Sequence, residues 1–272
     1  MIHRDLPEGR IPALGFGTWE LEGETCIQSV ERALGIGYRH VDTAVRYGNE
    51  AEVGRGIARS GLARRDVFVT TKVWHDALEY DALLGSLRDS LDRLQMDYVD
   101  LFLVHWPNPA VPLEETMSAL AEARTRGWAR NIGVSNFTVR HLETVCDTLR
   151  VPVVANQFEL HPFLDQTRLL QATRSRGLIV EAYQPLAGGR VMRDPTLGAI
   201  AKRHGKSPAQ IALKWLLDQD GVVAIPRSRN PANIAANLDL FDFELTAQDR
   251  AAIDALRGDS RFVNPAFAPQ WD

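Results

Sequence analysis

Gly15-Phe16-Gly17-Thr18-Trp19-Glu20 begins where the first short apolar run of this chain ends, and its reading decides the fold. A doubly wound dinucleotide binder needs Gly-x-Gly-x-x-Gly here: one glycine for a tight turn, one for close approach to a pyrophosphate, one for helix packing. The third position holds Glu20 instead. The other near match, Gly54-Arg55-Gly56, falls inside a helical pattern, and no Gly-x-x-x-x-Gly-Lys-Ser/Thr phosphate loop occurs.

Outward from that stretch, short apolar runs alternate with longer amphipathic ones. The runs Pro12 to Gly15, Tyr38 to Val41, Val67 to Thr71, Tyr98 to His105, Ala129 to Val134, Val153 to Gln157, Leu178 to Ala182 and Val222 to Ile225 read as strands. They carry Val, Ile, Leu and Phe without a polar face, which suits a parallel sheet covered by helices. Between them the spacing predicts helices over 49–60, 83–94, 113–126, 139–149, 166–176 and 207–220, several closed by a glycine. A turn at Pro7-Glu8-Gly9 predicts a hairpin ahead of the first strand. Eight strand–helix units fill 272 residues, close to the roughly 250 of an α/β barrel. The expectation is one domain, 1–272, a single eight-stranded parallel (β/α) TIM barrel with a short N-terminal hairpin and a C-terminal helix and tail.

Composition narrows the function. Thirty-one Lys and Arg against thirty-five Asp and Glu give a net charge of −4, too balanced for an electrostatic grip on nucleic acid. No run approaches 18 apolar residues, and Met1 to Pro7 lacks the apolar core of a secretory leader, so no membrane partner is expected. Two cysteines, Cys26 and Cys146, fit neither a metal spacing nor a disulfide framework, which predicts a reducing, cytoplasmic setting. A monomer acting on a small molecule is the expectation.

In a barrel the chemistry sits where strands end. Four positions there are unusual: Asp42 after strand two, Tyr47 in the loop beyond it, Lys72 after strand three, and His105 after strand four. Singly, Asp42 reads as a helix cap and Lys72 as a surface charge. Together they form a proton-transfer set. An ammonium beside a tyrosine stabilises the phenolate and lowers its pKa from about 10, and a carboxylate keeps a lysine charged in an apolar barrel. His105 is placed to hydrogen-bond a carbonyl oxygen. No serine or cysteine nucleophile elbow and no histidine cluster accompanies them, so hydrolase and metalloenzyme readings lack parts. Proton donation to a carbonyl remains, and it calls for a hydride source.

These residues resemble the aldo-keto reductases, barrel enzymes that reduce aldehydes and ketones with a nicotinamide cofactor. The resemblance covers essentially the whole chain: Leu14-Gly15-Phe16-Gly17-Thr18, Asp42-Thr43-Ala44, Tyr47-Gly48-Asn49-Glu50, Thr71-Lys72-Val73-Trp74, Asp97-Tyr98-Val99-Asp100-Leu101, His105-Trp106-Pro107 and Ile132-Gly133-Val134-Ser135-Asn136-Phe137. Within the family it is most similar to the bacterial 2,5-diketo-D-gluconate reductases, and the end of the chain, from Arg261 to Asp272, resembles their B type. The resemblance implies that Tyr47 is the general acid, that Lys72 and Asp42 tune it, and that His105 orients the carbonyl.

By the same similarity Ser135, Asn136 and Gln157 hold the cofactor's carboxamide and Tyr183 stacks on its nicotinamide. Helix capping by Ser135-Asn136 and rim packing by Tyr183 are the competing readings. Pro185, Leu186 and Gly188 belong to a loop over the pyrophosphate. After strand eight the family commonly shows Ile-Pro-Lys-Ser, then an Arg five residues on and a Glu-Asn pair; this chain has Arg227, Ser228, Asn233, Ala236 and Asn237. A 2′-phosphate is well held by a guanidinium fork, with Ser228 and the next helix N-terminus as further donors and Arg229 as a stand-in for the missing Arg. NADPH is expected over NADH.

Trp19, Trp74 and Trp106 follow strands one, three and four, and would wall the substrate mouth with apolar surface. Phe137, Phe262, Phe267 and Trp271 are weaker candidates. The open pocket expected suits methylglyoxal, keto sugars, short aldehydes or 2,5-diketo-D-gluconate. A cofactor-binding regulatory subunit with little turnover is the alternative from another functional class.

Overall fold

A computed structural model describes residues 2–272. Strands β1 (His3–Asp5) and β2 (Arg10–Pro12) pair antiparallel across the predicted turn, where Gly9 takes φ 85° and the Leu6 N–H donates to the Gly9 carbonyl. Eight parallel strands follow: β3 (Phe16–Gly17), β4 (His40–Asp42), β5 (Phe68–Val73), β6 (Val99–Val104), β7 (Ala129–Ser135), β8 (Ala155–Glu159), β9 (Ile179–Tyr183) and β10 (Val222–Ala224). Each pairs with its neighbours in sequence. The two edges meet where the Gly15 N–H donates to the Ala224 carbonyl (2.9 Å) and the Ala224 N–H to the Ala13 carbonyl (2.8 Å), which closes the barrel.

Helices α1 (Gly23–Gly35), α2 (Glu50–Arg59), α3 (Tyr80–Leu94), α4 (Leu113–Thr125), α5 (Val139–Leu142), α6 (Thr167–Arg174), α7 (Pro195–His204), α8 (Pro208–Leu217), α9 (Pro231–Leu238) and α10 (Ala247–Asp254) cover the outside. Every residue of β6 is buried because it faces helices on one side and the barrel interior on the other. Ile11 of the hairpin packs with Phe68, Leu101, Leu103, Val223 and Ile225 in a cluster of its own, so the hairpin plugs the barrel floor.

Three expectations are corrected. Pro12 to Gly15 is not the first ladder strand: Pro12 ends the hairpin, and only Phe16–Gly17 pairs with β4. The apolar run there serves the floor and the seam, and periodicity cannot separate the two. The helix over 139–149 is α only to Leu142 and then widens to a π-helix over Glu143–Thr148, where the Thr144 and Thr148 hydroxyls donate to the carbonyls of Arg140 and Glu143. Helices α1, α7 and α9 occupy segments for which the spacing predicts no helix.

Candidate active site

The Tyr47-Gly48-Asn49-Glu50 stretch is built as a bracket. Gly48, at φ 67°, ends a single 3-10 turn that carries Tyr47. The Asn49 amide donates to the carbonyls of Thr18 and Leu21 (2.8 Å each), and the Thr43 hydroxyl donates to its oxygen (3.1 Å). The buried Glu50 carboxylate accepts from Thr71 (2.5 Å) and Arg93 (2.8 Å). The loop after β4 is thereby fixed to β5 and to the β3 loop.

That bracket sets Tyr47 against Lys72. The Lys72 ammonium donates to Asp42 Oδ1 (2.6 Å), the Thr43 carbonyl (2.8 Å) and the Tyr47 hydroxyl (3.3 Å). Both Lys72 and Asp42 are buried, so Asp42 is an ion-pair partner inside the barrel and not a helix cap. Lysine has three donors and no acceptor. The Tyr47 oxygen therefore accepts, and its own proton is left to point elsewhere. The Tyr47 ring lies edge-on to His105, with centroids 5.8 Å apart, and to Trp19, 4.9 Å away.

The electrostatics correct one expectation. Burial pushes the Tyr47 phenol above its ordinary value, and Lys72 offsets only part of that rise. Tyr47 is held protonated, as a donor must be. For Lys72 burial alone favours the neutral form, but Asp42 and Tyr47 outweigh it and raise the ammonium's pKa. His105 falls well below the usual imidazole range through burial and the nearby charges of Lys72, His75 and Arg46, so it is neutral, and its Nδ1 is buried without a hydrogen-bond partner.

Under this group lies a second polar layer, where Gln157, read as a carboxamide ligand, meets Glu181 and His40, which sequence reading missed. The Gln157 amide donates to Asp42 Oδ2 (2.9 Å) and to Glu181 Oε2 (3.2 Å), and His40 Nε2 stands 3.6 Å from Glu181 Oε1. Burial, then Asp42, pushes the Glu181 carboxyl up to about 8. A carboxylate inside the apolar run Leu178 to Ala182 was the available signal.

The expected cofactor residues gather at the same rim. Asn136, in the left-handed region at φ 61°, donates to the His105 carbonyl (2.9 Å) and Ser135 Oγ (3.0 Å), and accepts from the Tyr183 hydroxyl (2.7 Å). Ser135 and Asn136 do not cap α5; Thr138 does. In the loop after β9, Gln184, Ala187, Gly188 and Gly189 all take positive φ, and Pro185 and Leu186 lie between them. The loop is closed on itself: the N–H groups of Ala187 and Gly189 donate to the carbonyls of Gln184 (2.8 Å) and Leu186 (2.9 Å), and that of Gly188 to Gln184 Oε1 (3.2 Å). Arg227 carries an ion pair with Glu20, so its guanidinium already holds an oxyanion. The helix-end donors are less free than expected: the Asn230 side chain takes the N–H groups of Ala232 and Asn233, and Ser228 Oγ accepts from the Asn230 N–H (3.0 Å). Asn233 is exposed and Asn237 is buried, while Arg229 lines a recess with Arg32 and Arg59.

Around the mouth, Trp19 is exposed and Trp74 lies edge-on to His105 at 5.0 Å. Trp106 is buried and packs edge-on against Phe267 of the tail (5.6 Å). Phe267 also stacks on His75 at 4.2 Å, so the tail contributes a wall. The buried Glu159 carboxylate at the end of β8 anchors that tail by accepting the N–H groups of Phe262 (2.7 Å) and Val263 (2.8 Å). Arg46 was also missed: its guanidinium sits 5.3 Å from the Trp74 ring centre, one residue from Tyr47.

Residues 13–257 match the model of the aldo/keto reductase family. The chain is 42% identical over 266 residues to methylglyoxal reductase DkgB of Salmonella typhi, covering 96% of this chain and 99% of that protein. A solved structure of a candidate 2,5-diketo-D-gluconic acid reductase B superposes with a TM-score of 0.94 at 45% identity, covering 96% of this chain and 94% of the other. A Bombyx mori aldo-keto reductase in complex with NADP superposes at 0.90 with 36% identity, covering 97% and 95%.

Proposed function

The chain belongs to the aldo/keto reductase family and is an NAD(P)H-dependent oxidoreductase, and from that premise we propose that it reduces small aldehydes and ketones to alcohols with NADPH, Tyr47 giving the proton. The observation that carries this reading is the buried Asp42–Lys72 pair under a Tyr47 hydroxyl whose proton is uncommitted.

A nicotinamide cofactor, when bound, would supply the hydride that the carbonyl carbon takes up. The chain's own groups do the rest. Neutral His105 orients the carbonyl oxygen against Tyr47 by hydrogen bonding, and cannot itself protonate it. As charge develops on that oxygen the Tyr47 proton moves to it, and the phenolate left behind is stabilised by the Lys72 ammonium already facing it. Asp42 keeps Lys72 charged and in place. Solvent returns the proton to Tyr47, and alcohol oxidation is the reverse. Ser135, Asn136, Gln157 and Tyr183 would hold the nicotinamide end, Pro185, Leu186 and Gly188 the pyrophosphate, and Arg227, Ser228, Asn233 and Asn237 the adenosine end. Trp19, Trp74, Phe267 and, through Phe267, Trp106 would wall the substrate and exclude water, which strengthens the Tyr47 hydrogen bond.

Arg46 bears on which carbonyl is taken. Among the described residues it makes no ion pair, and it shares the mouth with His75. Of the two substrates that relatives are named for, methylglyoxal is neutral and a diketogluconic acid is anionic; an unpaired guanidinium beside Tyr47 favours the anion. The reading takes 1–272 as one domain, monomeric and cytoplasmic, the last on cysteine usage; no helix among the described residues is long and apolar enough to cross a membrane. Its test is a panel of carbonyls, neutral and carboxylated, each run with NADPH and NADH: turnover with NADPH supports it, and no turnover on any carbonyl with either cofactor overturns it.

A further inference from the structure

Glu20 takes part in no step of the reaction, yet it is held in an unusual way. It adopts φ 58°, the left-handed region that a residue with a Cβ enters at a cost. Its carboxylate accepts from Arg227 Nη2 across the seam where the barrel closes. The loops that carry the two are tied beside them, the Gly17 N–H donating to the Pro226 carbonyl at 3.1 Å. Among the described residues Glu20 is the only carboxylate paired with Arg227.

We propose that Glu20 is a cofactor-specificity residue: its carboxylate competes with the ribose 2′-phosphate for Arg227 and so narrows the preference for NADPH over NADH. This rests on the reading of Arg227 as the phosphate ligand. The logic is asymmetric. NADPH must take the guanidinium from Glu20 and leave a carboxylate beside a phosphate carrying nearly two negative charges. NADH, with a hydroxyl at that place, leaves the pair intact. Both partners are partly exposed, at 34% for Arg227 and 60% for Glu20, so the competition is modest and screened by salt.

The test uses the full chain and reads binding directly, by quenching of tryptophan fluorescence with NADPH and with NADH at low and high salt. Glu20→Gln should tighten NADPH about 1.5- to fivefold, the range of an exposed ion pair, and leave NADH unchanged, with the gain shrinking at high salt. In an Arg227→Ala background the gain should be clearly smaller, because no guanidinium is left to compete for and only the direct repulsion between carboxylate and phosphate is relieved. An unchanged NADPH/NADH ratio in Glu20→Gln, or an equal gain without Arg227, overturns the proposal alone. If Arg227→Ala leaves the ratio unchanged, the phosphate reading fails and takes the proposal with it. If the wild-type chain binds neither cofactor, the proposed function itself fails.

Discussion

Lys72 Nζ lies 2.6 Å from Asp42 Oδ1, with both side chains out of solvent. Each charge is tolerated there only because of the other, and removing one leaves the second desolvated and unpaired. Asp42→Asn should cost roughly 3–5 kcal/mol of stability, read as the urea midpoint. The double variant Asp42→Asn, Lys72→Met should cost clearly less than the sum of the two single changes. Strict additivity would show that the pair is not coupled.

Glu181 makes stability depend on pH. Its carboxyl is raised from 4.5 to about 8 by burial and by Asp42, with Lys72 opposing, while neighbouring His40 stays neutral because burial lowers it to about 3. Between those pH values the unfolded chain has released the Glu181 proton and the folded chain keeps it. Stability from this group is therefore full below about 4.5 and is lost as pH rises through about 8. Glu181→Gln should flatten that decline, leaving the variant more stable than wild type at pH 8 by on the order of a few kcal/mol. Parallel melting curves from pH 5 to pH 8 check it.

Gly54 lies where α2 crosses the end of α3, and a Cβ there would meet the Leu94 carbonyl oxygen at 2.4 Å. Backbone cannot yield as a side-chain tip can. Gly54→Ala should destabilise by about 1–3 kcal/mol despite alanine's higher helix propensity, whereas Gly85→Ala in α3, with open space around it, should be neutral or stabilising.

Arg46 supplies a prediction on substrate. Arg46→Ala should raise KM about tenfold for a carbonyl bearing a carboxylate, the size expected of one charged hydrogen bond, and change KM for methylglyoxal less than twofold. Equal effects on both would remove Arg46 from substrate recognition.

Most of the site could be read from the sequence because it depends on local rules. Asp42, Lys72 and His105 stand at strand ends, where a barrel puts its chemistry, and the structure brings them together with Tyr47 as read. What could not be read depends on burial or on closure of the ring. Lys72 beside Tyr47 suggested a lowered phenol pKa, but the sign is set by desolvation, which no spacing reveals. Arg227 read as a free phosphate ligand because its partner, Glu20, is 207 positions away and meets it only when the first and last strands join. Phe267 ranked as a weak candidate, and its place over His75 follows from Glu159 fixing the chain at Phe262 and Val263. The misplaced first strand has a similar origin, since Ile11 and Leu14 are equally apolar but fill the floor and the seam.

The central claim is that Tyr47 gives the proton. Its most direct test is the rate of NADPH oxidation with a carbonyl substrate by Tyr47→Phe, with NADPH affinity measured on the same preparation by fluorescence. The account predicts turnover reduced by about 10²–10⁴-fold, the contribution of a positioned proton donor, with cofactor affinity within about twofold of wild type. A Tyr47→Phe variant that turns over at the wild-type rate would contradict it.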